Sequence, residues 1–236
     1  IRVNAEKKFG NKIWLINDCC HCFGAKWNKK FVGNQGDVAI YAFNISKMIT
    51  SIFGGILTFN DKKLANKVRN WRNNNFKKSN FLKSLKRKFY LIAIFIAFNK
   101  LVYKLTFWLQ HKTFFLDSLT KSFHLDNKIH FPNDYLDLMT NTEAAIGLIQ
   151  LQKYDDIIEK RVLNSNWYFE NISKKNWVLP KRVPGSTYSH YVIKVPNRKE
   201  TLNYFSKNGI ELGELIQYSI PNLNCYNSEN TCDLSL

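Results

Sequence analysis

Three side chains stand where the sequence could do chemistry. Lys47 follows an apolar run, Val38 to Phe43, and Asp18 follows another, Ile13 to Ile16. An amine at a strand end, partly desolvated, can bond covalently to a carbonyl carbon and then move a proton as a base. A carboxylate at the end of a buried strand favours a positive charge placed beside it. His21 lies three positions after Asp18, and an imidazole can hydrogen-bond in either sense near neutral pH. Plainer readings stand beside these. Lys47 could be a solvated surface charge, Asp18 a cap or turn residue, and His21 a satisfied polar group at a strand edge. The run Cys19-Cys20-His21-Cys22 suggests zinc by composition. Neighbours on a strand alternate faces and cannot converge on one ion, so no metal is expected.

The elements that must hold these residues read as α/β. Ile13–Ile16, Val38–Phe43 and Ile56–Phe59 read as buried strands, with Asn17-Asp18, Gly36-Asp37 and Gly54-Gly55 at their ends. Polar residues and glycines gathered at strand ends make a place for a ligand. Asn60-Asp61 predicts an N-cap for a helix with Leu64, Val68 and Trp71 on one face. From Thr140 one long helix is expected to about residue 172, its stripe formed by Ala144, Leu148, Leu151, Ile158, Val162 and Trp167. Pro180, Pro184 and Gly185 mark a loop, Tyr188 to Val195 alternates like a strand, and Lys199 to Lys207 reads as a short helix ended by Asn208-Gly209.

Charge is concentrated rather than spread. The chain has 236 residues and a net charge of +17. Fourteen Lys and Arg fall between Lys62 and Leu116 with no Asp or Glu, which leaves the rest with 21 basic against 18 acidic residues. The stretch from Phe76 to Phe131 mixes this block with apolar runs such as Phe89 to Phe98 and reads as an insertion. Ten apolar residues are too few to cross a bilayer, where roughly twenty are needed. A basic, aromatic-rich helix pair on an anionic membrane surface is one reading, through residues 76–116. Nucleic acid is not expected as a partner, because an uninterrupted apolar run suits lipid or protein better than phosphate. Five cysteines, three of them within four positions, do not read as a secreted disulfide framework, and a reducing cytoplasm is expected. Ile1 in place of Met, and an end at Leu236 with no closing signal, read as cut termini.

The segment Gly33 to Lys47, with Gly36-Asp37, the strand after it and Gly54-Gly55 beyond it, resembles the lysine region of the DegT/StrS sugar aminotransferases. Ile16-Asn17-Asp18-Cys19-Cys20-His21-Cys22-Phe23-Gly24-Ala25 is similar to that family's aspartate motif, 29 positions upstream of the lysine. Glu143 to Leu151 resembles its connecting-helix motif, and Asn208-Gly209-Ile210-Glu211 a small-domain signature. The resemblance implies a fold-type I enzyme of pyridoxal 5'-phosphate (PLP), with part of the large cofactor domain in residues 1–75, a helical insertion in 76–133, and the connecting helix and a truncated small α/β domain in 134–236. It implies Lys47 as the residue that binds PLP covalently, Asp18 as the carboxylate beside the ring nitrogen, and His21 as a contact of the ring or its phenolic oxygen. PLP draws electrons into its pyridine ring, and a neighbouring carboxylate keeps that ring protonated.

Six residues, at four places, depart from the family pattern. Ala42 stands where a phosphate-binding Ser is usual, Leu136-Asp137-Leu138 where Asn-x-Arg is usual, Ile52-Phe53 for Gly-Glu, and Asn17 for Glu. The family's glycine-rich phosphate turn and its ring-stacking aromatic fall upstream of Ile1, so the 236 residues alone are expected to bind PLP weakly and to be inactive.

The implied activity is transfer of an amino group, from an amino acid such as glutamate, to a keto group on a nucleotide-linked sugar in surface polysaccharide synthesis, by a cytoplasmic homodimer. The family's sugar dehydratases carry histidine in place of the lysine, and Lys47 points away from them. The rival reading is a catalytically inactive member acting as a basic scaffold or membrane-surface protein, at the inner face of the membrane. Covalent capture of PLP at Lys47 separates the two.

Overall fold

Parallel pairing of the first two apolar runs sets the architecture. In the computed structural model, which describes residues 2–112, 133–173 and 176–214, β1 (Ile16–Asp18) pairs in parallel with β4 (Val38–Ala42), and Asp18 stands opposite Ile40. The strand β5 (Gly55–Phe59) pairs antiparallel on the other side of β4, giving the order β1-β4-β5. Expectations that fall on residues 113–132 of the insertion, and on Cys225 and Cys232, lie outside the described residues.

The first strand begins later than its apolar run. Leu15 N–H donates to the Asp37 carboxylate at 2.8 Å, and Leu15 O accepts from the N–H groups of Asp37 and Val38. A side chain thus replaces the ladder ahead of Ile16. Arg2, on α1 (Arg2–Phe9), pairs with the same carboxylate at 3.0 Å. Between β1 and β4 a hairpin of β2 (Lys26–Trp27) and β3 (Lys30–Phe31) turns through Asn28 and Lys29, whose φ values of 50° and 63° suit the tight two-residue turn.

The strands were expected to be buried on both faces, and they are not. Ile16 is 57% exposed, and Ile40, Ile56 and Leu57 are also accessible. Parallel sheets become buried when helices cover both faces, and here a buried apolar cluster runs instead from β4 into the loop after it. Ala39, Phe43, Met48, Ile49 and Ile52, with Cys19, form that cluster. It lies directly beneath the Lys47 loop.

Asp61 caps α2 (Lys62–Asn75), its Oδ1 accepting from Lys63 and Leu64 N–H at 2.7 and 3.1 Å. Leu64 and Val68 are half-buried, while Trp71 is exposed and meets Phe76 edge-on. The basic, apolar stretch forms α3 (Phe81–Ala97) and α4 (Tyr103–Lys112). Among the described residues no helix is long and apolar enough to cross a membrane.

The long helix expected from Thr140 is two helices, α5 (Asn141–Gln152) and α6 (Tyr154–Asn171), broken at Lys153 with φ −98° and ψ 8°. Its apolar stripe does not face the core either, since Leu148 and Trp167 are exposed. The face that packs carries Glu143 and Gly147, one turn apart. Thr140 and Glu143 close a capping box, and Arg87 from α3 reaches Glu143 at 2.8 Å, so a carboxylate can sit in the core. Gly147 leaves room for Ser51, whose Cβ lies 3.3 Å from where a methyl would stand.

The stretch Tyr188–Val195 is not a strand. It keeps one antiparallel bridge, Lys194 to Val178, while Tyr188 has φ 46° and Arg161 occupies the carbonyls of Tyr188 and Ser189. The last helix, α7 (Arg198–Lys207), is capped by Asn197. The chain divides into two compact units, Ile1–Leu91 with Asp137–Lys194, and Ile92–Leu136 with Val195–Leu236. The first holds the sheet, α5 and α6. The second is tied within itself by Tyr103 stacked on Phe98, by the Tyr103 hydroxyl donating to Glu211, and by the Arg198–Glu214 pair at 3.5 Å.

Candidate active site

The carboxyl ends of the parallel pair β1 and β4 carry the site, which is where ligands bind in open α/β sheets. Asp18 is the last residue of β1. Its Oδ1 accepts the Cys20 N–H at 2.9 Å, and Cys19 N–H donates to Ile40 O at 2.8 Å, so the chain turns tightly over the end of β4. Cys19–Cys22 therefore form a turn and not a continuation of the strand, closed by Cys22 N–H on Cys19 O at 3.2 Å. His21 is carried on that turn.

Phe23, two residues on, meets Tyr41, Phe43 and Tyr154 edge-on at centroid distances of 5.3 to 5.9 Å, which fixes the turn against β4 and α6. Gly24 follows with φ 73°, and a Cβ there would strike the Tyr154 ring. Phe23, Tyr41 and Tyr154 also line a cavity of about 330 Å³ with Gly33 and Leu151.

Lys47 comes from the loop between β4 and β5. Phe43 N–H donates to Gly54 O at 2.8 Å and Ser51 N–H to Phe43 O at 2.8 Å, closing the loop at its base. Met48, Ile49 and Ile52 bury themselves beneath it, which leaves Lys47 half-buried on top. Its Nζ lies 2.7 Å from His21 Nε2. An ammonium has only donors, so that contact requires His21 neutral, with its proton on Nδ1.

Electrostatics agree with that protonation state. Burial pushes the His21 imidazole below its ordinary range and the Lys47 charge adds to it, with Asp18 opposing. Asp18 is held below the usual carboxylate range by hydrogen bonds from Cys20, the charge of Lys47 helping. The carboxylate is exposed rather than buried as its strand position suggested, because β1 ends at the sheet edge. Its acidity comes from donors and not from an apolar pocket. Burial pushes the Cys22 thiol up to about 12, so it is an inert thiol at neutral pH.

The structure thus brings Asp18, His21 and Lys47 together, and it adds His190. The His190 ring centroid lies 5.2 Å from that of His21, tilted by 48°. Among the described residues no group of three or more His, Cys, Asp or Glu is placed to hold a metal ion.

A profile of the DegT/DnrJ/EryC1/StrS aminotransferase family matches residues 7–125, half of the chain and the part that contains Asp18, His21 and Lys47. The chain belongs to this family. It is 25% identical over 161 residues to GDP-perosamine synthase of Escherichia coli O157:H7, which covers 68% of this chain and 32% of that protein. It is 36% identical over 66 residues, 28% of this chain and 17% of the relative, to a UDP-4-amino-4,6-dideoxy-N-acetyl-beta-L-altrosamine transaminase of Campylobacter jejuni. The crystal structure of the aminotransferase TlmJ from Streptoalloteichus hindustanus superposes with a TM-score of 0.62 at 16% identity, covering 97% of this chain and 50% of that one. That likeness shows the fold, the α/β fold-type I architecture. The chain spans about a third of the length of GDP-perosamine synthase.

The positions that depart from the DegT/StrS pattern have structural occupants. Asp137, within the stretch where the family has Asn-x-Arg, pairs with Lys83 at 2.8 Å. Phe53, in place of Glu, packs against Tyr90 and beneath the Arg87 guanidinium at 4.3 Å. Ile52 has φ 75° while fully buried, a left-handed backbone at a position where the family has glycine.

The donor set fits PLP at its reactive end. An anionic Asp18, a neutral imidazole and a primary amine share one rim, which suits a charged ring nitrogen, a polar ring substituent and a carbonyl carbon. Toward the phosphate it is sparser, because Ala42 offers no hydroxyl and the Ser46 hydroxyl donates to the Asn44 side chain at 3.0 Å. Sequence reading missed His190 and Arg161. No local signal in the sequence selects His190 among the five histidines, and only the fold places it beside His21.

Proposed function

We propose that this chain is a segment of a PLP-dependent aminotransferase that moves an amino group, from an amino acid such as glutamate, onto the keto carbon of a nucleotide-linked sugar for surface polysaccharide. The reading is supported above all by the 2.7 Å approach of Lys47 to His21 at the strand ends where Asp18 also stands. Family membership and the sugar-nucleotide relatives support the substrate class. When bound, PLP supplies an electron sink that stabilises negative charge on a substrate carbon.

The chain's own residues then divide the work. Lys47 Nζ would hold the cofactor at its carbonyl carbon, with loss of water, and would serve as the base that moves a proton at the substrate carbon. His21 accepts a hydrogen bond from that amine through Nε2 and holds it above the strand ends. Asp18, kept ionised by Cys20, would stand beside the ring nitrogen and favour its protonated form. In this proposal residues 1–75 belong to the cofactor domain, 76–133 to an insertion and 134–236 to the connecting helix and small domain. The protein works in the cytoplasm as a homodimer.

The test uses the whole protein mixed with PLP, reduced with borohydride and mapped by mass spectrometry. A cofactor adduct on Lys47, lost in Lys47→Ala, is the expected result. An unmodified Lys47 favours the second reading, an inactive scaffold, which is supported by Ala42 and by the exposed row Phe89, Ile92, Phe95 and Ile96 beside the basic residues of α3. Peripheral contact with an anionic membrane belongs to that row, by burial of apolar side chains with flanking lysines.

A further inference from the structure

We infer that His190 is a positioning residue of this site, which through its ring contact with His21 keeps the His21 Nε2 aimed at the Lys47 amine. The inference rests on the reading of Lys47 as the reacting amine, since only then does the aim of His21 matter.

Three observations carry it. The two imidazoles lie 5.2 Å apart, centroid to centroid, at 48°, close enough for ring packing to restrict rotation of His21. His190 is itself fixed from two sides. The Ser189 hydroxyl lies 3.2 Å from His190 Nδ1, and Arg161 on α6 donates to the carbonyls of Tyr188 and Ser189 at 3.4 and 3.0 Å. Among the described residues, His21 by contrast has the Lys47 amine as its polar ring contact, and that side chain is long and rotatable. A ring held by a flexible partner on one side needs a stiffer one on the other.

The charges around the pair favour the same arrangement. His21 faces Lys47 and Asp18, and His190 faces Arg161, Lys47 and His21. Burial and the cations hold both imidazoles below their ordinary range, so two neutral rings can pack without repulsion. Protonation of either ring places a cation next to Lys47 and opposes the contact.

The test follows the ring signals of His21 by NMR in the whole protein, without cofactor and with labelled histidine, assigned with His21→Gln. In His190→Ala the His21 ring loses cover on one side, so its titration midpoint is expected to rise toward its ordinary value, and Lys47 is expected to react faster with trinitrobenzenesulfonate. His190→Phe, which keeps the ring, restores both. An unchanged midpoint in His190→Ala, or a phenylalanine variant that behaves like alanine, overturns the inference. Should the alanine variant lose its circular dichroism, His190→Gln is judged by the same rise. Because no PLP is present, failure of the whole protein to capture PLP sinks the functional reading and leaves this result standing.

Discussion

Lys47 Nζ and His21 Nε2 meet at 2.7 Å across 26 positions of sequence, one delivered by the loop after β4 and the other by the turn after β1. The contact joins the two parallel strands at their carboxyl ends, so it depends on their register as much as on either residue.

Removing the acceptor leaves the amine without its guide. His21→Phe is expected to slow borohydride-trapped capture of PLP by the whole protein about tenfold at pH 7, the equivalent of one hydrogen bond of roughly 1.4 kcal/mol. Lys47→Ala abolishes the adduct outright. Equal trapping rates in wild type and His21→Phe contradict the role given to the imidazole.

Acid should weaken the site. His21 and His190 are held below their ordinary range of about 6.5, so below that pH the unfolded chain takes protons that the folded chain refuses. Stability then falls as pH falls from about 6.5 toward the lowered folded values. Asp18 acts in the same direction further down, since its contribution is present above the unfolded carboxylate range and lost as pH drops through its depressed value. Thermal melts between pH 5 and pH 8 should show a decline on the acid side that shrinks in the double variant His21→Gln, His190→Gln.

Arg87 compensates a carboxylate that is 3% exposed. Arg87→Met leaves Glu143 with only its capping-box partners and is expected to cost about 1–3 kcal/mol, read as a lower urea midpoint. Adding Glu143→Gln to it should recover part of that loss, because no buried charge remains. A double variant less stable than the single one contradicts the ion-pair account.

Ile52 inverts the usual ranking of small residues. Glycine normally destabilises by about 0.5–1 kcal/mol relative to alanine. At φ 75° the left-handed backbone penalises any Cβ by about 1–2 kcal/mol. Both Ile52→Ala and Ile52→Gly lose a fully buried side chain, yet Ile52→Gly is expected to be the more stable of the two. Chemical denaturation of the pair decides it.

Membrane contact through α3 is tested by co-sedimentation with vesicles rich in phosphatidylserine. Replacing Phe89, Ile92, Phe95 and Ile96 by serine should abolish binding, and unchanged sedimentation removes the idea.

The three apolar runs and their polar ends were enough to read α/β strands, while the likeness of the lysine and aspartate segments to the DegT/StrS pattern named Lys47, Asp18 and His21. Such features are local, since strand periodicity and end residues depend on neighbours in sequence. The break at Lys153, the buried face of α5 and the irregular path of Tyr188–Val195 were not legible. Each is decided by a distant partner: Arg87 for Glu143, Ser51 for Gly147, Arg161 for the carbonyls after Tyr188. His190 belongs with these, for nothing within ten residues of it points to His21. Motif resemblance identified which residues could do chemistry, and only long-range packing decided which of them touch, because pairwise contact energies depend on distances that the chain sets by folding.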